Sequence, residues 1–192
     1  MYGNIVTNKQ LKILLESHLS IRPFEESHLK EAAYTLNPGK ILKRNDEGDF
    51  DVAKTLTPKS PKYTLQPDEY VVVEAKQTVV IQKEGLIGLF ITASTNIENG
   101  LMVLAGQIDN KYGTNGEALR FGVKNLLPVA NEISLYTRLV HMQIIDLRGS
   151  AADPVKISPA AGKVLKTRTP DSRWADEEWP GPRYDLESDE EG

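Results

Sequence analysis

The sequence predicts an all-β fold, a sandwich or barrel led by one short helix, on three observations. Short runs rich in Val and Ile fill the centre of the chain. Gly, Asn or Pro separates them at a spacing of roughly 8–12 residues, which suits antiparallel β architectures. Helical periodicity is confined to one place near the start, so βαβ units are not expected.

Taken in order, Thr7-Asn8-Lys9-Gln10 has capping-box spacing, and Leu11, Leu14, Leu15 and Leu19 follow at helical intervals, which predicts a helix over 8–18. Pro23 ends that region, because it has no N–H to donate and pushes Arg22 towards extended geometry. Residues 40–67 are polar, carry prolines 58, 61 and 67, and read as a long excursion containing a hairpin. Strands are expected over 70–75, 78–82, 86–92, 101–104, 119–124, 132–136 and 139–147. After Gly149 the prolines at 154, 159, 170, 180 and 182 predict an arm that lies on a surface or stays disordered. The chain therefore divides into a β domain over 1–150 and a Pro-rich, acidic arm over 151–192.

At 192 residues, 40% hydrophobic and 26% charged, the chain has the balance of a soluble globular protein. No run approaches the ~20 apolar residues of a membrane span. Residues 1–7 show no secretory signal, so a cytoplasmic location is expected. With no cysteine, disulfides, thiolate zinc sites and cysteine nucleophiles are excluded, and so are zinc-dependent nucleobase deaminases. The three histidines, His18, His28 and His141, have no metal-ligand spacing, and His18 and His28 are expected to be exposed. Walker, Rossmann and nucleophile-elbow motifs are missing. Net charge is −4, of which the last 22 residues hold −7 (nine acids against Arg173 and Arg183), leaving +3 on 1–170. That distribution suits a small anionic ligand better than a long nucleic acid, which calls for a dense basic stripe.

The remaining chemistry lies in residues 100–113. There an apolar strand runs into Gly106, Asp109 follows one apolar residue later, and Tyr112 stands three positions on, before Gly113. Taken alone, this is a strand-turn-strand in which Asp109 bonds its own backbone. Ala105-Gly106-Gln107-Ile108-Asp109-Asn110-Lys111-Tyr112-Gly113 also resembles the third motif, AGxIDxxYxG, of the dUTPase and dCTP deaminase superfamily. Residues 19–24 resemble the opening segment of its deaminase branch, and 32–36 its first motif. Ala93-Ser94-Thr95 with Gly100-Leu101 resembles the second motif, while Asn125, Pro128 and Leu135-Tyr136 resemble the strand pair that follows the site.

This resemblance, over about residues 5–148, implies a distorted jelly-roll assembled as a homotrimer. Pyrimidine deoxynucleoside triphosphates (dCTP or dUTP) would bind between subunits, with Mg2+ on their phosphates. It implies Asp109 as the catalytic carboxylate, orienting water in a hydrolase or holding the sugar in a deaminase. Ser94, Thr95, Gly106, Gln107, Ile108, Tyr112 and Arg120 would then bind the nucleotide.

Departures accompany the matches. The family's first-motif Asp is Thr35 here, and its second-motif Arg is Ala93. The deaminase Glu, counted back from Asn125, is Gly122; Glu117 would need a bulge to replace it. Arg120 shares a face with Gly122, either supplying the charge lost at Ala93 or pairing with a cross-strand acid. The hydrolases' glycine-rich C-terminal phosphate clamp is missing from 167–192. A catalytically inactive relative, binding a nucleotide or a protein partner, therefore stands beside the enzyme. Trp174, Trp179 and Tyr184, interleaved with acids, suit a segment that folds on a partner or an arm that crosses a neighbouring subunit.

Overall fold

The computed structural model describes residues 4–109 and 112–148; the arm over 151–192, with Trp174, Trp179 and Tyr184, lies outside them. In chain order the elements are β1 (Asn4–Ile5), α1 (Asn8–Leu14), β2 (Leu19–Arg22), β3 (Tyr34–Leu36), β4 (Pro38–Arg44), β5 (Phe50–Thr55), β6 (Lys62–Leu65), β7 (Tyr70–Ala75), β8 (Thr78–Ile81), β9 (Leu86–Thr92), α2 (Ser94–Glu98), β10 (Leu101–Leu104), β11 (Gln107–Ile108), β12 (Arg120–Asn125), β13 (Asn131–Ser134) and β14 (Val140–Asp146). One sheet runs β1-β14-β9-β11, with β3 also on β14, and a second runs β10-β12-β7-β4-β5. Two-stranded ribbons, β13-β6 and β2-β8, complete the body. Every strand pair is antiparallel. Apart from the β4–β5 hairpin, no two paired strands among the described residues are consecutive in the chain.

Period-two patterning builds the core. Phe121, Val123 and Asn125 of β12 and Val140, Met142 and Ile144 of β14 are buried, while the residues between them are less covered. The rings of Phe90 and Phe121 meet edge to face at 5.1 Å, joining β9 of one sheet to β12 of the other. Each fully buried Val, Leu, Ile or Phe contributes about 1.5–3 kcal/mol of transfer free energy. Tyr34, Leu36, Ile41, Val73, Ile81 and Ile133 are buried completely.

The capping box at Thr7 forms, with Gln10 answering it, but the helix spans 8–14 rather than 8–18. Turns carry the chain on to His18, whose N–H reaches the Leu14 carbonyl, and Leu19 enters β2. The expected hairpin is β4–β5. Residues 94–98 form a helical turn that the apolar pattern does not mark. One expectation fails: His18 and His28 are half-buried rather than exposed. His28 rests edge-on against Tyr34 at 5.8 Å, an aromatic contact that covers part of its ring.

Candidate functional site

β11 delivers the third-motif residues. Ile108 is buried beneath Gly88, whose own β-carbon would stand 2.7 Å from Ile108 Cγ1, so only glycine permits this approach. With Ile108 locked inward, the alternation of the strand leaves Gln107 and Asp109 exposed. Gln107 Nε2 donates to Asp109 Oδ1 at 3.3 Å, and the Asp109 carbonyl accepts the Tyr112 N–H at 3.1 Å. No cation pairs with Asp109 among the described residues.

Beyond the turn, the Tyr112 carbonyl accepts the Ile81 N–H at 3.0 Å, tying the loop to the end of β8. Gly113 has φ +80 and lies so close to Val79 that a β-carbon would stand 2.1 Å from its carbonyl oxygen. The Tyr112 ring turns inward onto the core and its hydroxyl donates to the Ala118 carbonyl at 3.1 Å. Burial, then the Glu117 charge, raises that phenol above its ordinary value, so it stays a donor at neutral pH. Gly106 is exposed, with nothing within 4 Å of its β-carbon direction.

Ser94 and Thr95 open α2 with exposed side chains. Ala93, at the position of the family's arginine, is buried and caps α2 without a side-chain bond. Asn96 points inward from the same turn and donates to the carbonyls of Arg138 at 2.9 Å and Leu139 at 2.7 Å. Hydrogen bonds join neither Ser94 nor Thr95 to Asp109 among the described residues.

The deaminase-type position is occupied by other atoms. Gly122 lies on the outward face of β12, opposite Val72 on β7 and Leu104 on β10. A β-carbon there would stand 2.6 Å from the Tyr70 hydroxyl and 2.9 Å from its ring. Glu117 does not replace the missing carboxylate. The β12 register is continuous on both sides from its first paired residues, with no bulge, and Glu117 precedes the strand, accepting from the Asn115 N–H at 3.1 Å. Arg120 takes the second course open to it, pairing with Glu74, its cross-strand neighbour, at 3.3 Å through both Nε and a terminal nitrogen. Glu74 also receives Lys40 Nζ at 2.7 Å.

Two residues with no part in the motifs adjoin the matched positions. Thr35, in place of the first-motif Asp, is buried, and its hydroxyl shares a 3.1 Å hydrogen bond with His141 Nδ1 across the β3–β14 pair. Burial, then the charges of Lys30 and Arg138, holds that imidazole below its ordinary value. Tyr70 was legible only indirectly: a glycine inside a strand marks a close approach, but not by which side chain.

Among the described residues no group of three or more His, Asp or Glu side chains gathers to hold a metal ion. No helix among them is long and apolar enough to cross a membrane.

No protein-family profile matches the chain, and no curated protein matches it by sequence. Solved structures do. The 2'-deoxycytidine 5'-triphosphate deaminase of Agrobacterium tumefaciens superposes with a TM-score of 0.60 at 10% identity, covering 76% of this chain and 49% of that one. The chain thus spans about half the length of that deaminase. A dUTPase from phage phi11 of S. aureus, described with a structural Mg(II) ion, gives 0.47 at 17% identity over 72% of this chain and 96% of its own. The β domain described here has the dUTPase-like jelly-roll fold that dCTP deaminase also adopts.

Proposed function

We propose that this chain binds a pyrimidine deoxynucleoside triphosphate at the β11 turn, and that the reaction left open to it is phosphate hydrolysis rather than deamination. The observation that carries the reading is the contrast between two positions. Gly122 has no carboxylate and lies under the Tyr70 ring, whereas Asp109 is exposed and, among the described residues, free of any ion pair. Deamination without a base loses typically 10²–10⁴-fold from general catalysis alone.

In the hydrolytic step Asp109 accepts a proton from water as the water oxygen bonds to phosphorus. The phosphoanhydride P–O bond breaks, and pyrophosphate leaves a nucleoside monophosphate. Gly106 and the β11 residues Gln107 and Ile108 present the carboxylate at the strand end, and Ser94 and Thr95 offer hydroxyls to the phosphates. Tyr112 serves by holding the loop. By the family resemblance magnesium would sit on the triphosphate oxygens, where it offsets their charge. By the same resemblance the body is a homotrimer with sites between subunits, working in the cytoplasm on nucleotide metabolism.

A second reading is favoured by a specific observation: Ala93 is buried and Arg120 is engaged by Glu74, so a triphosphate meets less positive charge than in an active relative. That reading is a catalytically inactive trimer that binds a nucleotide, or a protein through its acidic aromatic tail. A panel of common nucleotides, screened with magnesium by thermal shift and product chromatography, decides among these. Stabilisation with monophosphate release supports the hydrolase, and stabilisation alone supports the binder. Absence of both leaves the trimer that binds a protein through its tail.

A further inference from the structure

We propose that β5 is a self-pairing edge, through which two copies of this chain join antiparallel about a two-fold axis. β5 ends the second sheet: β4 pairs with one of its edges, and no strand among the described residues pairs with the other. Ile41 and Leu42 of β4 are buried, which anchors the hairpin. β5 itself is covered on neither face, with Phe50 42% and Val52 56% exposed and only Lys54 partly shielded. An open strand held in extended form is a template for another strand.

Many proteins protect such an edge with charges that repel a second copy. Here the charges are complementary. Leu42 pairs with Val52 and Ile41 with Lys54, so the register slips past Ala53. The slip sets Asp51, opposite Lys43, and Lys54, opposite Ile41, on one face of the hairpin. Two identical strands meeting at a two-fold axis run antiparallel. An axis between Val52 and Ala53 sets Asp51 of each copy against Lys54 of the other, forming two ion pairs. Shifting the pairing by one residue sets Asp51 against Ala53 or Thr55 and loses both. Within the chain neither side chain has an ion-pair partner among the described residues. Asn45 Nδ2 donates to Asp51 Oδ2 at 3.2 Å, which holds the carboxylate at the strand.

A six-residue strand is a small interface, so the association is weak. It is independent of the nucleotide reading and doubles whatever assembly the body forms. Sedimentation velocity of the full chain across concentration, at low salt, tests it. The wild type should show reversible doubling of mass. Asp51→Lys and Lys54→Asp each oppose like charges twice and should weaken association by roughly tenfold or more. The double variant D51K/K54D should recover it, because the pairs re-form with their signs exchanged. Circular dichroism should be the same for all four proteins, since the changed side chains are outside the core. Equal sedimentation of all four at every concentration, or failure of the double variant to recover, would overturn the proposal.

Discussion

The phenol of Tyr70 fills the space that a side chain at residue 122 would need: a β-carbon built on Gly122 stands 2.6 Å from the Tyr70 oxygen and 3.1 Å from Cζ. The two residues lie on adjacent strands, and Gly122 pairs with Val72 while Tyr70 pairs with Lys124, so their contact is diagonal. Tyr70 is half-exposed and able to swing aside, at the cost of its packing on the glycine.

That contact predicts a coupling. Gly122→Ala should lower stability by about 1 kcal/mol, and the loss should largely vanish in a Tyr70→Ala background. Urea denaturation of the four proteins in the cycle measures it. Equal losses in both backgrounds would mean that Tyr70 does not restrict the position.

Asp109 separates three roles in one variant. If it orients water, Asp109→Asn should keep the fold and the nucleotide affinity while turnover falls by orders of magnitude, because an amide is no base. If it only bonds the deoxyribose, affinity should weaken by about 1–3 kcal/mol. If it is a turn residue, Asn makes the same turn and nothing changes. The first result is expected, read by calorimetry and by initial rates.

Asn125 predicts the largest single loss of stability. It is completely buried, donates through Nδ2 to the carbonyls of Gln66 at 3.1 Å and Val129 at 2.8 Å, and accepts the Leu127 N–H at 3.1 Å. Asn125→Ala leaves several of these groups unpaired in the interior and should cost about 2–4 kcal/mol. Asn125→Asp should do no better, since a carboxylate would face those carbonyls. A urea midpoint within experimental error of wild type for either variant would contradict this.

Stability should fall on mild acidification. His141 and His18 both titrate below their ordinary value of 6.5, each chiefly through burial. The unfolded chain therefore takes up protons at a pH where the folded one does not, and stability rises with pH in that interval. The contribution is complete above pH 6.5 and is lost as pH falls from there through the folded-state values. Below that window, loss passes to carboxylates held under their ordinary range, Glu25 by Lys76 and Asp146 by Arg148. The slope of the urea midpoint between pH 7.5 and 5.5 should shrink in His141→Gln and again in His141→Gln with His18→Gln. An unchanged slope in both would contradict the assignment.

Much of the fold was legible because period two and turn residues are local. Strands over 70–75, 86–92 and 101–104 agree with the structure to the residue. β2 and β3 were not identified as strands, because Leu19–Arg22 and Tyr34–Leu36 are short and extended only through pairing with β8 and β14. The helix stops four residues early because Leu19, which continues the helical spacing, belongs instead to a strand. For the site, sequence spacing brought Gly106 to Asp109 onto one turn, and Arg120 onto the face of Gly122. It could not show that Tyr70 covers Gly122 or that Thr35 bonds His141, since both contacts join strands far apart in the chain. Nor could it show that Tyr112 faces the core, because the aromatic spacing is the same whichever way the ring turns.

Product chromatography of dCTP and dUTP, incubated separately with the full chain and magnesium, distinguishes hydrolysis from deamination. Cytosine should never be converted to uracil, and the product should be a nucleoside monophosphate whose release stops in Asp109→Asn. Accumulation of dUTP or dUMP from dCTP would contradict it, because deamination would then proceed with Gly122 beneath Tyr70 and no carboxylate in the place of the base.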